Sequence, residues 1–226
     1  GTPFVWNNQS NPYDNRDPRM KYTIVCNEMK WPVDPVEIWE GGTNGLPLQN
    51  ATTTGYYLKK YVNNTISFEA GSTVTKKQHN WVLFRYGEIL LNYAEAMINA
   101  FHDPNYKDAV YNMSAREAVN QIRGRTNISL PGFPSDITEK DFVKRLKNER
   151  RVELAFEGHR FWDVRRWKEL GQTANIYGVK ITKNNEVISY EKFLLETRAV
   201  TDNMYFYPIP NTERFKNPNL GQNPGW

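Results

Sequence analysis

Residues 84–101 read FRYGEILLNYAEAMINAF, and this stretch decides the fold. Ile89, Leu90, Tyr93, Ala94, Met97, Ile98 and Phe101 recur at helical spacing, which gathers them on one face of an α-helix. Asp103-Pro104 ends the pattern, because proline lacks an N–H and its ring crowds the preceding turn. A second helix is announced soon after. Ser114 and Glu117 have the capping-box spacing, in which each side chain satisfies a backbone N–H left free at a helix start. Ala118, Val119 and Ile122 supply its apolar stripe. Arg123 and Arg125 stand where cations meet the negative end of the helix dipole.

Two further helices follow. Thr138 caps the third, with Asp141 three residues on, and Phe142, Leu146, Val152 and Leu154 point inward. Gly158 is expected to end it as a left-handed cap. The fourth, HRFWDVRRWKEL, runs over 159–170 and stops at Gly171. The first pair, about 81 to 125, looks like one helix–turn–helix unit of tetratricopeptide type. A single unit cannot bury both faces, and roughly three are needed for a stable stack.

The flanks read differently. Residues 1–80 are loop-rich, with strand candidates at Tyr22–Val25 and Tyr56–Val62. Between them lies WPVDPVEIWEGGTNGLPLQNATTTG, residues 31–55, interrupted by Pro32, Pro35, Pro47 and a Gly41-Gly42 turn. So long an irregular stretch is uncommon in a compact domain and is often a binding loop. Residues 172–204 are mixed and polar, with a hairpin expected around Asn184-Asn185. Four prolines punctuate 207–226, so this end reads as an extended tail, neither regular helix nor central strand. The layout is a loop-rich segment 1–80, a helical core 81–171 and an extended segment 172–226.

Composition narrows the function classes. Hydrophobic residues make up 39% and aromatics 14% of the 226 residues, so ring surfaces are available beyond those that fill a core. The 29 basic and 25 acidic residues nearly balance, and no long basic run exists, which disfavours nucleic acid as a partner. Cys26 is the only cysteine, so no internal disulfide forms. His79, His102 and His159 stand far apart with no i, i+4 pair, which disfavours a zinc site. No EF-hand-type loop is visible, and no cofactor is expected. No run of about 18 apolar residues exists. The opening GTPFVWNNQS carries no signal-peptide pattern or initiator Met, so the chain is read as lacking its natural N-terminus.

Six segments, in order, resemble the C-terminal half of the SusD/RagB family: DPRM (17–20), GYYLKKY (55–61), FRYGEILLNYAEAM (84–97), NQIRGRTNISLP (120–131), ERRVELAFEGHRFWDVRRW (149–167) and YPIPNTERFKNPNLGQNPGW (207–226). The resemblance implies a mainly α fold with a tetratricopeptide-like core, long irregular loops and a few short strands. It implies a lipid-anchored, cell-surface outer-membrane glycan binder of Bacteroidetes. Such a protein binds starch- or polysaccharide-type oligosaccharide and delivers it to a SusC-like TonB-dependent transporter. The family's lipidated cysteine and most of its tetratricopeptide helices belong to an N-terminal portion absent from this chain. Cys26, inside YTIVCNEM, is not that anchor.

Three chemical readings compete on these residues. Glu149, Glu153 and Glu157 fall four apart on one expected helix face, a spacing reminiscent of glycosidase carboxyl pairs. Arg150, Arg151, Arg160, Arg165 and Arg166 crowd the same region and favour ionised carboxylates, so a structural ion-pair network is expected and not an acid catalyst. RFWDVRRWK, residues 160–168, interleaves aromatic and basic residues as some RNA binders do, but Phe161, Val164 and Trp167 share a helical face, so the rings are expected inward and the arginines paired with acids. Gly41-Gly42-Thr43-Asn44-Gly45 lacks the Lys-Ser/Thr of a phosphate loop and reads as a turn.

Sugar contacts are expected from loops. Trp and Tyr stack on the apolar face of a pyranose, while Asn, Asp or Arg bonds its hydroxyls. Trp31 and Trp39 are the first choices, beside Asp34 and Asn44, with Tyr56 and Tyr57 closing the loop. Glu37, Trp6, Asn7 and Trp81 are nearby candidates. The competing reading is that both tryptophans pin the loop to the core.

Overall fold

The structure is a computed structural model that describes residues 5–7, 10–66 and 76–226. Parts of the loop-rich segment, 1–4, 8–9 and 67–75, lie outside the described residues. Among the described residues the order is α1 (Met20–Thr23), β1 (Ile24–Val25), β2 (Tyr57–Leu58), α2 (Tyr86–Phe101), α3 (Ala115–Arg123), α4 (Glu139–Glu153) and α5 (His159–Arg166). A 3-10 turn (Leu170–Thr173), the hairpin β3 (Asn175–Asn184) and β4 (Val187–Thr197), a second 3-10 turn (Asp202–Tyr205) and α6 (Asn211–Lys216) complete it. The protein is mainly α, with two small antiparallel sheets.

The helical core forms where the periodicity placed it. α2 packs on α3 and α4, burying Leu91, Ala94, Ile98, Val119, Ile122 and Phe142 together. The stripe of α2 is rotated from the expected one: Ile89 is exposed and Leu91 is fully buried. Ser114 and Glu117 complete the capping box of α3, with Glu117 N–H donating to Ser114 Oγ at 3.1 Å and Ser114 N–H to Glu117 Oε2 at 2.8 Å. Thr138 Oγ1 accepts from Asp141 N–H at the start of α4.

Gly158 does not end α4. That helix stops at Glu153, and Gly158, at φ +83°, is the N-cap of α5 after a turn in which Phe156 is also left-handed. A glycine able to adopt positive φ serves a following helix as readily as a preceding one. α5 is shorter than expected, ending at Arg166, with Lys168 at φ +54° turning the chain into the 3-10 segment.

A second core holds the loop-rich half against the hairpin. Val25, Val36, Ile38, Val179, Ile181 and Tyr190 form it. The strand candidates near 22–25 and 56–62 are real but short: Ile24 pairs with Leu58 and Val25 with Tyr57. Met20–Thr23 is a single helical turn. The hairpin turns at Asn185-Glu186, with Asn184 opposite Val187 and Asn185 at φ +53°. The tail contains one short helix, contrary to the expectation of a wholly extended end. Pro210 is the N-cap of α6 and Pro218 lies just beyond its end, so the prolines bracket the helix without breaking it.

Candidate functional site

The 31–55 loop is not loose. Glu40 N–H donates to Ile181 O and Val179 N–H to Thr54 O, both at 2.9 Å, so the loop is hydrogen-bonded to β3 near its middle and at its C-terminal end. Trp31 N–H closes a tight turn on Asp34 O at 2.9 Å. Gly55 sits at φ +81° where a Cβ would meet Val179 O at 2.5 Å, so glycine is what lets the loop base lie against the strand.

Trp31, Trp39, Tyr56 and Tyr57 are brought together on the second core, each half-buried at its edge. Lys59 Nζ lies 4.6 Å above the Trp31 ring and Lys183 Nζ 4.4 Å above the Trp39 ring, both within cation–π range. The Tyr56 ring meets Tyr13 edge-on at 6.0 Å, and burial pushes its phenol pKa up. The Tyr57 hydroxyl donates to Asn44 O at 2.6 Å and accepts from Thr52 N–H at 3.1 Å. Asn44 Oδ1 accepts from Glu37 N–H at 3.1 Å. Asn44 and Tyr57 thus brace the loop from within, whereas Asp34 is exposed at the turn after Trp31. Sequence reasoning missed the two lysines and a cavity of about 280 Å³ between loop and hairpin, lined by Leu46, Thr52, Thr53 and Phe193 among others. Neither had a local signal, because each joins segments far apart in the chain.

The glutamates form a dense ion-pair centre. Glu149 and Glu153 share a face of α4, and Glu157 lies in the turn beyond it. Glu149 receives Arg19 at 2.5 Å on one oxygen and Arg123 at 2.6 Å on the other. Glu153 receives Arg19 at 2.9 Å and Arg125 at 2.7 Å on Oε2, and Arg85 at 2.7 Å on Oε1. Glu157 receives Lys60 at 2.6 Å on Oε1 and Arg85 at 2.8 Å on Oε2. All six carboxylate oxygens are therefore engaged by cations.

The partners differ from the expected ones. Arg150 and Arg166 turn to Asp163, and Arg166 also to Glu95. Arg160 donates to Gln172, and Arg165 lies over the Phe161 ring at 3.5 Å. Arg151 makes no ion pair with an acid among the described residues. Burial alone would raise the Glu153 carboxyl, but hydrogen bonds from Arg85 and Arg19 overcome it and hold it below the usual range. Glu157 is held down likewise by Arg85 and Lys60. Glu153 and Glu157 border a shallow cleft of about 220 Å³, yet as ionised, fully paired groups.

The aromatics of α5 correct another expectation. Val164 is buried, but Phe161 and Trp162 are exposed and cluster with Tyr207 of the tail, at centroid distances of 5.1 to 6.1 Å. Among the described residues, no group of three or more His, Cys, Asp or Glu is arranged to hold a metal, and no helix is long and apolar enough to cross a membrane.

Helix pairs, a loop-bearing hairpin and an arginine–glutamate centre define a SusD-like architecture. A family model described as "SusD family" matches residues 6–226, and the chain belongs to that family. It is 29% identical over 163 residues to SusD-like protein P2 of Formosa agariphila, covering 70% of this chain and 28% of that protein. It is 37% identical over 150 residues to SusD-like protein P38 of the same organism, covering 64% of this chain and 24% of that one. A crystal structure of a SusD-like protein from Bacteroides fragilis superposes with a TM-score of 0.77 at 27% identity, over 95% of this chain and 40% of that one. The chain thus spans about a quarter of the length of these curated relatives.

Proposed function

We propose that the chain is the C-terminal portion of a cell-surface glycan-binding protein. It captures starch- or polysaccharide-type oligosaccharide and passes it to a SusC-like TonB-dependent transporter without a covalent step. The full-length protein is held at the outer membrane by a lipid anchor. Family membership supports this reading, and one observation carries its local form: half-exposed indoles sit on a loop hydrogen-bonded to β3 at its middle and its C-terminal end. A rigid aromatic platform binds flat apolar faces at low entropic cost.

The paired state of all six glutamate oxygens supports a non-enzymatic role, since an acid catalyst must hold its proton near neutral pH. A second reading, a transporter-interaction scaffold without its own sugar site, draws on the lysines that cover one face of each indole.

Affinity electrophoresis of the 226-residue chain on a polysaccharide panel tests the proposal. Retardation by at least one glycan is the expected result, and no retardation on any gel favours the scaffold. Released reducing sugar, abolished in Glu153→Gln with the fold intact, would overturn the non-enzymatic reading.

A further inference from the structure

The excess positive charge of this chain is not spread evenly. Lys140, Lys144, Lys147 and Arg151 follow one another at intervals of four, three and four residues, which places them in one stripe along α4. The stripe lines a groove of about 350 Å³ whose opposite wall brings Arg160 of α5 and the 3-10 turn that follows it. Five cations meet one carboxylate there, Glu169. The groove therefore carries an excess of four positive charges, equal to the formal net charge of the whole chain.

Glu169 is already committed. Its Oε1 receives Lys147 at 2.5 Å and its Oε2 receives the Gln172 amide at 3.0 Å. Lys140, Lys144, Arg151 and Arg160 make no ion pair with an acid among the described residues. Arg160 is held below the ordinary arginine range, first by partial burial and then by the charge of Arg151. Elsewhere in this fold arginines gather around carboxylates, so a recessed groove of unneutralised cations stands out by its charge.

From this arrangement we infer that the α4–α5 groove binds the oxyanion groups of an acidic oligosaccharide, either uronate carboxylates or sulfate esters. Guanidinium forks suit planar or tetrahedral oxyanions, and lysines add point charges along the strand. The groove also offers what a sugar needs beside its charge. The Asn148 amide lines it as a partner for hydroxyls, the Gln172 amide being held by Arg160 and Glu169, and Val143 gives a small apolar contact. The stripe rises about 16 Å along α4, longer than one monosaccharide, so a chain of sugars fits it better than a lone anion. A recessed site with amides favours such a ligand over an anionic membrane surface, which needs only exposed charge. This inference deepens the proposed glycan-binding role and rests on it, but it uses a different face from the Trp31–Trp39 loop.

Isothermal titration of the 226-residue chain tests it with oligogalacturonate, a sulfated oligosaccharide, neutral malto-oligosaccharide, inorganic sulfate and phosphatidylglycerol vesicles. At least one acidic oligosaccharide is expected to bind, more tightly than inorganic sulfate, and which one binds distinguishes carboxylate from sulfate. The exposed pair Lys144→Gln/Arg151→Gln is expected to weaken it about tenfold or more. Raising salt from about 0.1 M to about 1 M weakens it too. Neutral-sugar binding through the loop stays unchanged in the double variant. Neutral sugar bound with no acidic sugar bound overturns this inference and spares the proposed function. Acidic sugar bound and lost in the variant, with no neutral sugar bound, upholds the groove and counts against the aromatic platform. Vesicle binding without oligosaccharide binding, equal affinity of variant and parent, or no binding at all overturns the groove.

Discussion

Arg19 donates to Glu149 at 2.5 Å across a separation of 130 residues, and both side chains are buried. That bond ties the N-cap of α1, in the loop-rich half, to α4 in the helical half. Arg19 also reaches Glu153, so one guanidinium bridges two carboxylates on α4 while Asp17 holds its other edge at 2.6 Å. Removing water from so many charges is costly, and their mutual hydrogen bonds offset that cost only while the set stays complete.

Glu153→Gln breaks the set at its busiest member. Arg19, Arg85 and Arg125 then share a neutral amide, and the nearly buried Arg19 loses part of its compensation. A loss of about 3 kcal/mol is expected, the low end for a broken buried ion pair because the amide still accepts a bond. Lys60→Gln, at the more open Glu157, is expected to cost under about 1 kcal/mol. Urea midpoints with unchanged slope measure both. Equal midpoints for Glu153→Gln and the parent would remove the structural role assigned to this centre.

Acid should undo the same centre. Glu153 and Glu157 have their pKa values lowered from 4.5 in the folded chain. A depressed carboxylate stabilises the fold above its unfolded pKa, and that stability is lost as pH falls through the folded value. The melting temperature is therefore expected to hold from neutral pH to about 5 and to drop increasingly below about 4.5. In Glu153→Gln the acid slope should be shallower. An identical slope in the two proteins would place the linkage on other carboxylates.

The helices were legible because their signals are local. Ser114 and Glu117 stand three residues apart, and the bonds they make follow directly from that spacing. Around the glutamates the sequence shows Arg150, Arg151, Arg160, Arg165 and Arg166, because these are the neighbours along the chain. The true partners, Arg19, Arg85, Arg123 and Arg125, come from other segments that only tertiary packing brings near. Helical phase alone points Phe161 inward. It stays outside because Asp163 and Val164 take the buried side of a two-turn helix, with Asp163 drawn in by Arg150 and Arg166. In the binding loop the residue types were visible, but Lys59 and Lys183 over the indoles were not, since neither lies within the 31–55 stretch.

Gly55→Ala probes how firmly the loop is fastened. The backbone there is left-handed, which costs a residue with a Cβ about 1–2 kcal/mol, and the new carbon would also press on Val179 O. The Val179 N–H bond to Thr54 O is the one expected to open. A destabilisation of about 2 kcal/mol or more should accompany faster hydrogen exchange at the Val179 amide. Unchanged exchange there would mean that the loop base is not held by this contact.

Trp31→Ala separates the platform from the scaffold. Trp31 lies at the rim of the second core, half-buried, so its loss trims packing without emptying the centre held by Val25, Ile38 and Ile181. If one indole face stacks on a sugar ring, glycan affinity should fall about tenfold, equivalent to about 1.4 kcal/mol, while urea unfolding stays cooperative. Trp39→Ala should act in the same direction, because its ring has the same kind of setting under Lys183. Lys59→Ala sharpens the comparison: it uncovers the Trp31 face, so a stacking role predicts tighter binding at unchanged stability, whereas a pinning role predicts lower stability and no change in binding. Retention on the best glycan of the panel, measured beside an unfolding curve for each variant, decides between them. Full retention by both tryptophan variants would mean that these rings fasten the loop and that sugar is gripped elsewhere.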